Sequence, residues 1–305
     1  MKLAIGGSLT PRHRSLPFNI ATQGIDFGAA NSCMAVWRDN EMIIVPYEQG
    51  QETTPSMMAF TDAGCLFGKA AKLQQRENVR NTIFDMKLLI GREYDHWAVQ
   101  KAIKRLPFAV VEQDGRPVVE VEFRRSTQRF TPEAISSMIL ADMKARAELH
   151  FKLPVTEAVI TVPVCFNDAQ RRATRNAGVD AGFRVLRLLN DTTAASIAHG
   201  IGRQAGTLLV IDLGKSKAEV SLLNLTGRVF EVRAAAGGSH LGGTEFDSCL
   251  AVYLREELER KYGEQVPRDG PRFWSLWRRC ELTSPPICLL ISSPTANLTG
   301  STSKL

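Results

Sequence analysis

Three things are missing from this sequence, and each argues against a class of protein. No apolar run approaches the roughly 20 residues that span a bilayer; the longest, 285-PPICLLI-291, is far shorter. This speaks against a membrane-embedded protein. No two of the cysteines (Cys33, Cys65, Cys165, Cys249, Cys280 and Cys288) form a Cys-x-x-Cys pair. Free thiols in a reducing compartment, and hence a cytoplasmic protein, fit this better than disulfides or zinc. The basic excess, a net charge of +6, is not gathered into a block. It reads as a solvated surface, not as a face for nucleic acid. A fourth absence is local. No acid precedes Asp26, and Arg12, His13 and Arg14 stand among serines. Residues 1–23 read as a disordered extension, with an organelle transit peptide as the alternative.

What remains is globular. The chain has 305 residues, 44% hydrophobic and 23% charged. That suits one large domain or two ordinary ones. Alternating apolar residues in 33-CMAVW-37 and 42-MIIVPY-47 predict an antiparallel hairpin, and 53-TTPSMMAF-60 predicts another strand. Residues 68–90 read as mainly helical. The pieces 108-FAVVEQDG-115 and 117-PVVEVEF-123 predict a second hairpin on an Asp-Gly turn. Thr131, Pro132 and Glu133 open a helix, and Asn167 caps another. Strands at 158-AVITV-162 and 185-VLRLL-189 alternate with these helices, which argues for an α/β class.

One pattern occurs twice. The stretch 24-GIDFGAANSCMAV-36 is a strand, a glycine turn and a strand, and 207-TLLVIDLGKSKAEVSLL-223 repeats it. The shared cores are 25-IDFG-28 and 211-IDLG-214. A glycine in such a turn lets backbone N–H groups approach an anion closely. Two such turns make a phosphate clamp, with Asp26 and Asp212 on one magnesium ion through water. Lys87 would meet the charge that develops on a γ-phosphate, and Asp191 would orient a water. The plainer reading makes the aspartates turn residues, Lys87 a surface lysine and Asp191 a helix cap.

These residues bring a family into view. The segments 81-NTIFDMKLLIGR-92, 130-FTPEAISSMILADMK-144, 158-AVITVPVCFNDAQRRATRNAG-178 and 240-HLGGTEFD-247, together with both turns, resemble the ATPase domain of the seventy-kilodalton heat-shock chaperones, the DnaK type. The resemblance runs from about Gly24 to about Gly263. It implies an actin-like fold of two ribonuclease-H-like lobes that hold ATP or ADP with magnesium and potassium. The first lobe would cover 24–203 and a partial second lobe 204–282, with 283–305 as a disordered tail. It also implies that Pro163 serves signalling between lobes, and that Arg171 lies where J-domain co-chaperones touch. A nucleotide-exchange factor is a further implied partner. The family's peptide-client site is not in this sequence.

The departures gather at the nucleotide. The family's first turn reads Asp-Leu-Gly-Thr-Thr; here it is Asp26-Phe27-Gly28-Ala29-Ala30, followed by Asn31. The family's glutamate stands here as Asp191, shorter by one methylene. The second turn normally continues in glycines and a threonine, and here runs Gly214-Lys215-Ser216-Lys217. Thr244 follows Gly242 and Gly243 where an acid is expected. The expectation is ATP binding with weak or lost hydrolysis. The alternatives are a non-catalytic module for co-chaperone or regulatory contacts, and a non-functional fragment.

Overall fold

A computed structural model of the chain describes residues 22–38, 41–47, 50–200, 205–227, 229–262 and 287–293. The expectations for residues 1–21, 263–286 and 294–305 lie outside these residues. The chain divides into two compact units, 1–204 and 205–305.

The first unit is built on a mixed sheet. Its strands are β1 (Thr22–Phe27), β2 (Asn31–Arg38), β3 (Glu41–Ile44) and β4 (Thr54–Pro55), joined by two later strands. β5 (Met57–Thr61), β6 (Gly64–Phe67) and β7 (Thr82–Phe84) form a separate three-stranded sheet, with helix α1 (Gly68–Gln74) between β6 and β7. After α2 (Trp97–Ile103) come β8 (Ala109–Gln113), β9 (Arg116–Phe123) and β10 (Ser126–Phe130), a meander of three in sequence order. The rest alternates: α3 (Pro132–Phe151), β11 (Glu157–Val162), α4 (Asp168–Asp180), β12 (Arg184–Asn190) and α5 (Asp191–Gly200). The main sheet runs β12-β11-β1-β2-β3, with β4 also paired to β2. β1 is parallel to β11 and antiparallel to β2.

Local chemistry explains several element ends. Thr131 Oγ1 accepts from the Ala134 N–H at 3.1 Å and starts α3. Asn167 and Gln170 cap each other's backbone at the head of α4, a reciprocal capping box. Asp114 and Gly115 both have positive φ, 52° and 73°, the twist that a two-residue hairpin turn demands. Arg124 and Arg125 do the same at 52° and 59° before β10, with no glycine to announce it.

Two expectations need correction. β1 begins at Thr22, which pairs with Glu157, so the ordered fold starts two residues before Gly24. The segment 68–90 is helical only over Gly68–Gln74 and in two short 3-10 turns. Thr82–Phe84 is a strand instead, because Ile83 pairs with Met58 of β5 and is fully buried. A pairing partner distant in sequence overrides the local helical signal.

Ile25, Met34 and Val36 of the main sheet pack with Ile135, Ile139 and Met143 of α3 and Ile160 of β11 in one core. Phe60 stacks on Phe130 at 4.7 Å and meets Phe123 edge-on at 5.4 Å, which ties the two small sheets together.

The second unit contains β13 (Gly206–Leu213), β14 (Lys217–Thr226), β15 (Val229–Ser239), α6 (Gly243–Tyr262) and β16 (Ile287–Ser293). Its sheet order is β15-β14-β13-β16, antiparallel throughout. β16 falls within residues expected as a tail; its backbone pairs with β13 from Leu213↔Ile287 to Thr207↔Ser293. Phe246, Leu250, Tyr253 and Leu254 lie exposed along one side of α6.

Among the described residues Cys33, Cys65, Cys165 and Cys249 are free thiols. Burial, aided by the Asp26 carboxylate, pushes the Cys33 thiol up to about 11. The thiolate is the reactive form. At mildly alkaline pH, iodoacetamide is therefore expected to label exposed Cys249 and spare Cys33 until the chain unfolds. Mass spectrometry of the labelled peptides checks this, and early labelling of Cys33 would contradict its burial.

Candidate functional site

The first turn leaves the sheet at the end of β1. Asp26 sits opposite Cys33 across the β1–β2 pair. Its Oδ1 accepts a hydrogen bond from Thr161 Oγ1 at 3.0 Å, and Thr161 is fully buried on neighbouring β11. The carboxylate is thus aimed by a second strand. Thr161→Val keeps the shape and removes the donor. A hydrogen bond to a charged group contributes about 1.5–3 kcal/mol, and the variant is expected to lose stability within that range in urea denaturation. An unchanged midpoint would show that the bond orients nothing.

Gly28 makes the bend possible. A Cβ there would stand 2.1 Å from the carbonyl oxygen of Asn31. The Ala30 carbonyl accepts from the Ser56 N–H at 2.8 Å, and Ser32 Oγ bonds Ser56 Oγ at 2.7 Å, so the turn is braced on the segment around β4. Ala29 and Ala30 bring no hydroxyl, so at these two positions only the backbone N–H groups can donate.

Lys87 is not the surface lysine of the plainer reading. It is only 7% exposed, in a single 3-10 turn after Asp85, which is held at φ 60°. Its ammonium stands 5.8 Å from the ring centroid of buried Phe27, next to Asp26 in β1. Its Nζ has no hydrogen-bond partner among the described residues. Asp191 is also buried and is the first residue of α5, where a negative charge meets the positive helix end.

Arg171, expected as a partner contact, is busy within its own unit. Its guanidinium donates to the carbonyls of Phe166 (2.9 Å), Pro163 and Val164 (3.3 Å each), and to Asn190 Oδ1 at 2.9 Å. It fastens the loop after β11 to the end of β12, immediately before Asp191. Beside it lies an open groove of about 370 Å³ lined by Asp168, Arg171, Arg172, Arg175, Arg187 and two leucines.

The second turn is built differently. Gly214 N–H donates to the Lys217 carbonyl at 2.9 Å and closes it. The loop before α6 is stapled onto it: His240 N–H donates to Ser216 O, Gly243 N–H to Gly214 O and Thr244 N–H to Lys215 O, at 2.7–2.9 Å. Gly242 is required there, since a Cβ would lie 2.4 Å from the Lys215 carbonyl oxygen. The Thr244 hydroxyl is buried with no hydrogen-bond partner among the described residues.

Lys217 does not stand ready for a phosphate. Its Nζ donates to Asp212 Oδ2 at 2.9 Å and also to Glu219 Oε2. Glu219 is fully buried and lies opposite Asp212 in the β13–β14 register. Sequence reasoning missed it. The signal was there: Glu219 and Ser221 alternate with Leu223 and Leu225 on the inward face of β14. An acid on that face needs a cation, and Lys217 provides it. Asp212 thus already has a cationic partner supplied by the chain itself. Asp26, Lys87 and Asp191 belong to the first unit; Asp212, residues 214–217 and residues 242–244 belong to the second.

The comparisons with known proteins agree with this architecture. The sequence matches the family described as Hsp70 protein over residues 22–284. It is 45% identical over 261 residues to a heat shock 70 kDa protein of Emericella nidulans, covering 85% of this chain and 40% of that protein. It is 44% identical over 251 residues to a ribosome-associated molecular chaperone of Saccharomyces cerevisiae, covering 81% of this chain and 41% of that one. The chain thus spans about two fifths of the length of these relatives. With the family match extending through both units, the chain belongs to the Hsp70 family, and its fold is the actin-like α/β fold of that family's ATPase domain, the second lobe represented by four strands and one helix among the described residues.

Proposed function

We propose that this chain is the nucleotide-binding part of a heat-shock chaperone, that it holds ATP or ADP, and that its hydrolysis is weak or lost. The observation that carries the reading is Lys87. A buried ammonium without a hydrogen-bond partner costs several kcal/mol unless an anion arrives. This one lies over Phe27, beside the Asp26 turn, where a phosphate is the fitting anion. Phosphoryl transfer rests on positioning and charge neutralisation. Three changes work against it here: Ala29 and Ala30 without hydroxyls, Asp191 one methylene short, and Asp212 already paired with Lys217. Magnesium or potassium would enter with the nucleotide at the Asp26 side. The free thiols favour a cytoplasmic setting.

Calorimetric titration with ATP, with and without MgCl2, tests this, together with single-turnover release of phosphate. Binding heat with phosphate release near background is expected. No heat and no thermal shift at millimolar ATP would sink the reading.

A second reading has its own observation, the arginine-lined groove beside α4. Arg172 and Arg175 are exposed there, beside Arg171, in the segment that the family likeness marks as a J-domain contact, and a change of their charge would alter the docking of such a partner. Titrating an isolated J-domain against the chain and against Arg172→Glu tests it. Equal affinity for both would remove the groove from consideration.

A further inference from the structure

We propose that Lys217 is a tethered counter-cation: its ammonium stands where an inorganic ion would otherwise be needed between Asp212 and Glu219, so the second turn keeps its shape without one. The antiparallel register sets Asp212 directly across from Glu219 on one face of the sheet. Like charges placed so repel each other. Glu219 is fully buried, which removes the water that would screen them. Lys217 opens β14 two residues before Glu219 and so projects to the same face. Its side chain is 13% exposed and touches both carboxylates. An ammonium offers three donors, and two are spent on this pair.

The backbone keeps the lysine in place. Its carbonyl receives the Gly214 N–H and closes the turn, and the loop before α6 is hydrogen-bonded to Gly214, Lys215 and Ser216. The ammonium is therefore delivered by a braced segment and not by a wandering surface chain. An oxygen-seeking divalent ion wants several oxygen ligands. At Asp212 it would have to displace a cation that is covalently attached. A family that implies magnesium at this acid is here represented by a chain that supplies the charge itself.

The test uses the full chain without nucleotide, so failure of the nucleotide reading and failure of this one are separable. Thermal melts are run in choline chloride and in MgCl2 or MnCl2 at matched ionic strength, with manganese binding followed by its electron paramagnetic resonance. Lys217→Met is expected to melt lower than the unaltered chain in choline, and to be restored by either divalent ion. It is expected to hold one more manganese ion than the unaltered chain, a gain that disappears when Asp212→Asn is added. Lys217→Arg is expected to melt without a cation requirement. If Lys217→Met does not fold in any salt, combining it with Glu219→Gln removes the repulsion and is expected to restore folding in choline. Four results would overturn the proposal. Lys217→Met melting like the unaltered chain in choline would do so, as would a Lys217→Met variant that folds but gains no manganese. So would a Lys217→Arg that needs a cation, or a double variant that does not recover.

Discussion

Lys87→Met is expected to raise the melting temperature of the chain and to abolish its protection by ATP. The two effects have one cause. The lysine is only 7% exposed, and its ammonium has no hydrogen-bond partner among the described residues. Leaving such a group unsatisfied costs about 1–3 kcal/mol, more when it is charged. Methionine has similar length, fills the same space against Phe27 and carries no charge, so it removes the cost. A site that is destabilising when empty and stabilising when filled marks a ligand anchor. Differential scanning calorimetry of both proteins, with and without ATP, gives the answer. A variant that melts lower and still responds to ATP would mean that Lys87 serves the fold and not a phosphate.

Gly28→Ala is expected to be severe, and Gly214→Ala mild, although the two glycines occupy the same place in the repeated motif. A Cβ at Gly28 would meet the Asn31 carbonyl oxygen at 2.1 Å. Neither partner is a side-chain tip that can swing away, so the bend between β1 and β2 must open. Overpacking of this kind costs about 1–3 kcal/mol and occasionally more. A Cβ at Gly214 would meet the Lys217 Cγ at 3.5 Å, an ordinary contact. Its substitution should change stability by no more than about 1 kcal/mol. Urea midpoints of the two variants decide this, and equal losses would show that the turns are sterically equivalent after all.

How much of this was legible beforehand follows the range of each interaction. The starts of α3 and α4 were readable because Thr131 and Asn167 are bonded to residues three positions away. The Asp114-Gly115 turn was readable for the same reason, while the Arg124-Arg125 turn used two residues that rarely signal positive φ. β7 was hidden because its strand character comes from β5, more than twenty residues earlier in sequence. The candidate site divides in the same way. Asp26, Lys87 and Asp212 stood out through motif and family likeness. The burial of Lys87 and the Asp212–Lys217–Glu219 ion triad depend on register and packing, which no short window of sequence contains.

The parallel pairing of β1 with β11 also sets a clock. Thr22 and Glu157 are 135 residues apart, yet they are sheet neighbours. At a synthesis rate of about 5–20 residues per second, β1 waits roughly 7–27 s for its partner to be made. In that interval the hairpin of β1 and β2 presents an unpaired edge with Ile25 and its apolar neighbours uncovered. The second unit has no comparable delay on β14, whose partners β13 and β15 adjoin it in sequence. The opening motif of this chain is thus the part most in need of shelter while it is being born.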